Sequence, residues 1–504
     1  MSISNAYPRI FPEEAAALVR HGATVAFSGF TQAGTAKAVP RAIAERARSL
    51  HAAGEPFKIR VITGGAGGPS LDEVLARAEA ISWLVPLQNT PTLRVQINRE
   101  EVEYMDLHLS AVSRMVRAGF LGKVDLAVIE ATDITPEGRV YLSSSIGASP
   151  TFLETAEKVI IELNRYHSRR LPEMADILIS PPVPHRPPLP IHDPLTKVGY
   201  PYAVVDPAKV VGIVETNEPD DIVSAVGGGG AVSRRIAAHV VNFLVEEIHA
   251  GHVPGEFLPL QVGVGPVATG VLVALAQNPF IPPFKMYTLS ILDAVVDLME
   301  QGKVTAASAT SLSVTPDVAR RVYDNMDFFA PRIVLRPQEI SNDGGVVRRL
   351  AVIALNSALE VDIYGNVNAS HVYGTDIVNG IGGSGEFTRN SFLSIIMCPS
   401  ISLGGRISNV VPMCPHIDSN EHSVQVIVTE QGLADLRGLG PMQRAKLIIE
   451  NCAHPAYREP LHKYIEGSRM GHIRHNLDTC YEWHINLMEQ GTMVPGLDVA
   501  AFED

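Results

Sequence analysis

The stretch MYTLSILDAVVDLMEQG (286–302) begins as an apolar, strand-like run and becomes an amphipathic helix, a junction where α/β units usually present their chemistry. Thr288, Leu289 and Ser290 occupy that junction, and one carboxylate, Asp293, follows it. Glu386 and Glu430, the latter in VTEQGLADLRG (428–438), are the other acidic candidates. A solvated or ion-paired side chain is the commoner state of each, so only geometry can promote one of them. His416 and His454, each beside a proline, stand on the same footing.

Glycine-rich turns supply a second kind of chemistry. GVGPVATG (263–270) follows a strand-like run and opens a helical one, and Gly263, Gly265 and Ala268 fit a G-x-G-x-x-A dinucleotide turn. Pro266 intrudes, and no strand ending in an acidic residue lies roughly 20 residues on, where a ribose would need it. A plain turn and a close backbone approach to another ligand both remain open. VNGIGGSGEF (378–387) leaves the backbone bare, so its amides can aim at a developing oxyanion or a phosphate. SSSIGASP (143–150) and TGGAGGPS (63–70) are weaker examples. The chain carries no HExxH, P-loop lysine or GxSxG motif, and Cys398 and Cys414 sit in apolar surroundings where a thiol is usually inert.

The elements that position these turns are legible as alternation. Short β-branched runs at 23–29, 58–65, 123–131, 158–164 and 209–215 alternate with alanine-rich amphipathic segments, which predicts βαβ units around a mostly parallel sheet. PPVPHRPPLPIHDP (181–194) is read as an extended loop, because proline fixes φ and lacks an amide donor. The glycine run in DDIVSAVGGGGAV (220–232) suggests a boundary, giving domains 1–225 and 226–504, the second carrying the GVGP and GIGGSG loops. At 504 residues the chain is too long for one core. A net charge of −13 argues against nucleic-acid binding, no apolar run is long enough for a membrane helix, and four scattered cysteines argue for a reduced, cytoplasmic protein.

GFTQAGTAKAVP (29–40), SSIGASPTFL (144–153), VGVGPVATGVL (262–272), DIYGNVNASHVYGTDIVNGIGGSGEFTRN (362–390) and IVTEQGLADLRG (427–438) occur together and in order. In this combination the chain resembles the acetyl-CoA hydrolase/transferase family, whose members include succinyl-CoA:acetate and propionyl-CoA:succinate CoA-transferases. The resemblance implies a class I CoA-transferase fold: two related open α/β domains with mostly parallel sheets and the active site in the interdomain cleft. It implies a homodimer acting on acyl-CoA and a small acceptor, with CoA as substrate and no metal or other cofactor. In that family a glutamate attacks the thioester and passes through an acyl anhydride and a glutamyl-CoA thioester.

The resemblance assigns oxyanion and CoA-binding positions to Val264, Gly265, Gly382 and Gly383, an acyl pocket to Gly29, Phe30 and Thr31, and further active-site positions to Asn342 and Glu430. It also exposes departures. The family commonly reads GFTGAGYPK where this chain has Gln32 for glycine and Thr35-Ala36 for tyrosine-proline. The family's YTEVIQD aligns with YTLSILD, which puts Leu289 where the nucleophilic glutamate belongs. Three readings follow: direct attack of water or another acceptor on the thioester, a displaced carboxylate with Asp293 the first candidate, or a noncatalytic CoA-binding protein.

Overall fold

The computed structural model describes residues 6–184, 186–223, 230–263, 265–499 and 501. It is a mixed α/β structure with mostly parallel sheets, and it divides into two compact units. The first unit joins residues 1–224 to 285–350, and the second joins 225–284 to 351–504. This corrects the single division at 225: the chain leaves the first unit there but re-enters it at Lys285.

In the first unit, parallel strands lie in the spatial order Glu103–Tyr104, Ile81–Val85, Ile59–Ile62, Thr24–Phe27, Leu126–Ile134, Lys158–Asn164 and Val210–Thr216. All five strand-like runs read from the sequence are strands here. Valine and isoleucine dominate them because a sheet covered on both faces buries consecutive side chains. Helix Ala38–Ala52 turns Val39, Ile43, Ala44 and Ala47 into a core shared with Val25, Phe27, Ile59 and Val61. A buried isoleucine contributes about 2 kcal/mol.

The strand order reverses between Thr24–Phe27 and Leu126–Ile134: earlier crossovers run outward one way, later ones the other. Open α/β sheets bind ligands beyond the carboxyl ends of strands at such a switch point. The turn leaving Phe27 there is GFTQAGT.

In the segment 285–350, Ser290–Ile291 and Ser311–Leu312 form a small parallel pair, while Val304–Ala309 lies in a larger sheet between Phe284–Tyr287 and the parallel strand Ile333–Leu335. The proline-rich stretch 181–194 is irregular wherever it is described, as its missing amide donors require. In the second unit, parallel strands Leu260–Val262, Ile353–Ser357, Leu393–Met397 and Val426–Thr429 lie side by side, with Gly432–Asp435 antiparallel at the end. Of the GGGG boundary region, residues 224–229 lie outside the described residues. Among the described residues, no helix is long and apolar enough to cross a membrane.

Candidate active site

Residue 289 sits between strand Phe284–Tyr287 and the pair begun by Ser290, and its backbone is fixed from both sides. The Thr288 amide donates to the Ser308 carbonyl (2.9 Å), and the Thr310 amide donates to the Leu289 carbonyl (3.0 Å). Leu289 itself is only half-buried. Beside it lies a cluster of four hydroxyls: Thr31 Oγ1 is 2.9 Å from Ser290 Oγ and 2.5 Å from Ser313 Oγ, and Ser311 Oγ is 2.8 Å from both serines. Thr31 donates to the Phe30 carbonyl (2.8 Å), so its oxygen accepts from the serines. Sequence reasoning singled out Thr31 and Ser290 but missed Ser311 and Ser313, since serine is too common to signal anything without the fold.

Asp293 uses both carboxylate oxygens on one partner, accepting from the Thr315 amide and hydroxyl at 2.9 Å each. That links the helix Asp293–Glu300 to the start of Pro316–Asp324. Asn342 is buried at the end of the short helix Gln338–Ser341 and accepts from Ser341 Oγ (2.9 Å). The Tyr287 hydroxyl donates to the Ile340 carbonyl (2.7 Å), tying that helix to the strand before residue 289.

The GFTQAGT turn is a tight hairpin closed by Phe30 N–H to Ala33 O (2.9 Å) and Ala33 N–H to Phe30 O (3.1 Å). Its two central residues, Thr31 and Gln32, have φ of 49° and 71°. Positive φ at both centres is the type I′ signature, which Asn-Gly fills without strain and Thr-Gln does not. Gly29 is required by space as well as by its φ of 122°, for a Cβ there would lie 2.3 Å from Thr35 Oγ1. Phe30 is fully buried, its ring against Gly65, while Thr31 is half-buried and faces the serines.

Beneath this turn lies a buried knot of charge. Lys37 Nζ is 2.6 Å from Glu130 Oε2 and 3.1 Å from Asp220 Oδ1, and His167 Nε2 is 3.1 Å from Glu130 Oε1. Burial pushes the Glu130 carboxyl up, but the Lys37 ammonium and the His167 ring together hold it well below the ordinary range. Burial likewise lowers Lys37 and His167, and in each case the carboxylates of Glu130 and Asp220 outweigh it and raise the pKa. Glu130, His167 and Asp220 have the donor chemistry of a cation site, with ligand atoms within 4.8 Å of one another. The ammonium of Lys37 supplies that cation from within the chain. Neighbouring Glu162 accepts the amides of Lys37, Ala38 and Val39 (2.5–3.1 Å) and so caps helix Ala38–Ala52. A carboxylate in mid-strand of LAVIEA and of VIIELN was the available signal: Glu130 and Glu162 are register partners.

The remaining assigned residues belong to the second unit. Gly265, with φ of 137°, heads helix Pro266–Gln277, and Val264 lies outside the described residues. Gly382 has φ of 56°, and Gly383 precedes helix Ser384–Asn390. Glu430 is buried and accepts from the Ser400 amide (2.8 Å), the Ser400 hydroxyl and Gln431 Nε2 (3.1 Å). Burial pushes the Cys398 and Cys414 thiols well up, and Cys452 up to about 12, so they are poor nucleophiles.

One turn carries a pH dependence. Asp72 is fully buried below TGGAGGPS and accepts the amides of Gly67 (2.7 Å) and Gly68 (3.1 Å), yet burial raises its pKa to about 7. The folded state therefore binds this proton more tightly than the unfolded chain. The resulting stability is full below the unfolded value near 4 and is lost as pH rises through about 7. Unfolding free energy, measured by urea titration, is expected to fall by about 1 kcal/mol from this group between pH 6 and 8. Asp72→Asn should remove that part of the slope; an unchanged slope would refute the assignment.

This mixed α/β structure with mostly parallel sheets has the fold of solved CoA-transferase structures. The structure aligns with 4-hydroxybutyrate CoA-transferase from Porphyromonas gingivalis at a TM-score of 0.62, with 20% identity, over 91% of this chain and 97% of that one. The sequence takes the matter further: the chain belongs to the acetyl-CoA hydrolase/transferase family, matching its N-terminal domain over residues 1–215 and its C-terminal domain over 319–465. It is 51% identical to the propanoyl-CoA:succinate CoA transferase of Escherichia coli K12 over 97% of this chain and 99% of that protein. It is 41% identical to the succinyl-CoA:acetate CoA-transferase of Clostridium kluyveri, over 95% of this chain and 89% of that one.

Proposed function

We propose that this chain consumes an acyl-CoA thioester by direct attack of water or another small acceptor, without a protein-bound intermediate. The carrying observation is the side chain at residue 289: a half-buried leucine, with hydroxyls rather than a carboxylate at hydrogen-bonding distance from its neighbour Ser290. Leucine cannot form an anhydride. Asp293, the displaced-carboxylate candidate, already accepts two hydrogen bonds from Thr315. In this reading the backbone amide of Gly383 is an oxyanion donor, one of which is worth about 3 kcal/mol, and Asn342 and Glu430 are further active-site groups by family resemblance. Relatives named for propanoyl-CoA and succinyl-CoA make short acyl-CoAs the first substrates to test. The reading asks for no resident cofactor.

The test is incubation with propanoyl-, succinyl- and acetyl-CoA, following free CoA and, by mass spectrometry, the intact protein. Free CoA without a CoA-sized adduct is expected, and Asp293→Asn should leave the rate within about twofold. An adduct on the unaltered chain, lost in Asp293→Asn, would establish the displaced carboxylate instead. Neither adduct nor release would leave a noncatalytic CoA-binding protein.

A further inference from the structure

We propose that the buried knot of Lys37, Glu130, Asp220 and His167 is a positioning element for the reacting site, setting Thr31 and the segment Ser311–Ser313 in place beside residue 289. The proposal rests on the reading that the thioester is attacked beside residue 289. A buried ion pair is weak evidence for a stabilising role, because well-packed apolar residues of similar volume often do as well. The destinations of the remaining hydrogen bonds are more informative.

They lead to the two segments that carry the hydroxyl cluster. Asp220 Oδ1 accepts the Gly34 amide (3.1 Å), and Lys37 Nζ donates to the Thr35 carbonyl (2.8 Å), so the knot holds the C-terminal arm of the GFTQAGT hairpin. The other arm is held through Ser28, which accepts the Glu130 amide (2.8 Å) and donates to the Gly34 carbonyl (2.9 Å). On the other side, Asp220 Oδ2 accepts from Ser144 Oγ (2.5 Å), and the Ser144 carbonyl accepts the Leu312 amide (2.8 Å). Glu130 Oε1 accepts from Ser143 Oγ (2.7 Å). One carboxylate, Asp220, thus reaches both Thr31's hairpin and the strand bearing Ser311.

The backbone shows why such a clamp is needed. Thr31 and Gln32 both occupy the left-handed region, where a non-glycine residue is strained and persists only when its surroundings over-determine it. The knot provides that constraint from beneath, with every charged member at most 8% exposed. His167 closes the assembly by linking Glu130 to Tyr323, whose hydroxyl is 2.8 Å from His167 Nδ1.

Amide hydrogen exchange and kinetics on the full chain test the proposal. In Asp220→Asn, segments 28–36 and 309–314 should both exchange about tenfold faster while the rest of the sheet is unchanged. The kcat for propanoyl-CoA consumption should fall about tenfold with KM within about threefold. Adding Gln32→Gly, which relieves the strained turn, should restore protection at 28–36 but not at 309–314. Should Asp220→Asn not fold, Ser144→Ala deletes one hydroxyl and no charge, and should loosen 309–314 alone. Wild-type exchange in both segments, or acceleration spread evenly over the sheet, would overturn the proposal. If the unaltered chain releases no CoA, the functional reading fails, and the exchange result still decides the positioning.

Discussion

Leu289→Glu is expected to give the chain a protein-bound CoA thioester on incubation with propanoyl-CoA, and to raise CoA transfer to a carboxylate acceptor by about 100-fold or more. The carbonyl of residue 289 is already bonded to the Thr310 amide, and the amide before it to Ser308, so a glutamate would be grafted onto a backbone fixed on both sides. Its carboxylate would attack the thioester carbonyl and expel CoA thiolate, leaving an acyl anhydride. The thiolate would then attack the glutamyl carbonyl, expelling the acyl group as its carboxylate and forming the glutamyl-CoA thioester. Hydroxyls of Thr31, Ser290 and Ser311 can rotate to donate to the new charge. Burying it by half is expected to lower unfolding free energy by about 1–2 kcal/mol. A CoA-sized mass increase that borohydride chemistry discharges is the readout; no adduct, with the protein folded, would show that residue 289 is not the reacting position.

The sheet strands of the first unit were legible because short runs of consecutive β-branched and other apolar residues between polar segments have few alternatives: KVIIELN became Lys158–Asn164. The GFTQAGT turn was legible too, through glycines that the backbone requires. The return of residues 285–350 to the first unit was not, since its strands carry the same apolar pattern as those of the second unit, and pattern alone does not say which core a strand joins. The charge knot was hidden for another reason. Its members are 37, 130, 167 and 220, four positions brought together only by three crossovers of a parallel sheet. Asp293, by contrast, was conspicuous in sequence and is engaged with Thr315 in structure.

Arg336→Met is expected to cost about 3–5 kcal/mol of unfolding free energy, the usual result of stranding one partner of a buried ion pair. Arg336 and Asp176 are both fully buried and paired. The guanidinium also donates to the carbonyls of Pro194 (3.0 Å) and Thr196 (2.6 Å) and to Ser308 Oγ (2.8 Å), so it anchors the end of the proline-rich stretch, which has few amides for self-support. Asp176 in turn accepts the amides of Val198 (2.8 Å) and Gly199 (2.5 Å). Methionine matches the length but removes every donor, leaving the carboxylate with those two amides alone. Lysine should recover less than half, since a point charge cannot serve four acceptors in separate directions. Adding Asp176→Asn to Arg336→Met should restore about 1–2 kcal/mol by removing the stranded charge, a non-additivity that a double-mutant cycle reads directly. Because Ser308 also accepts the Thr288 amide, the same substitution should loosen the residues leading into position 289. Equal losses in the single and double variants would mean that Arg336 acts through its carbonyl contacts and not through the ion pair.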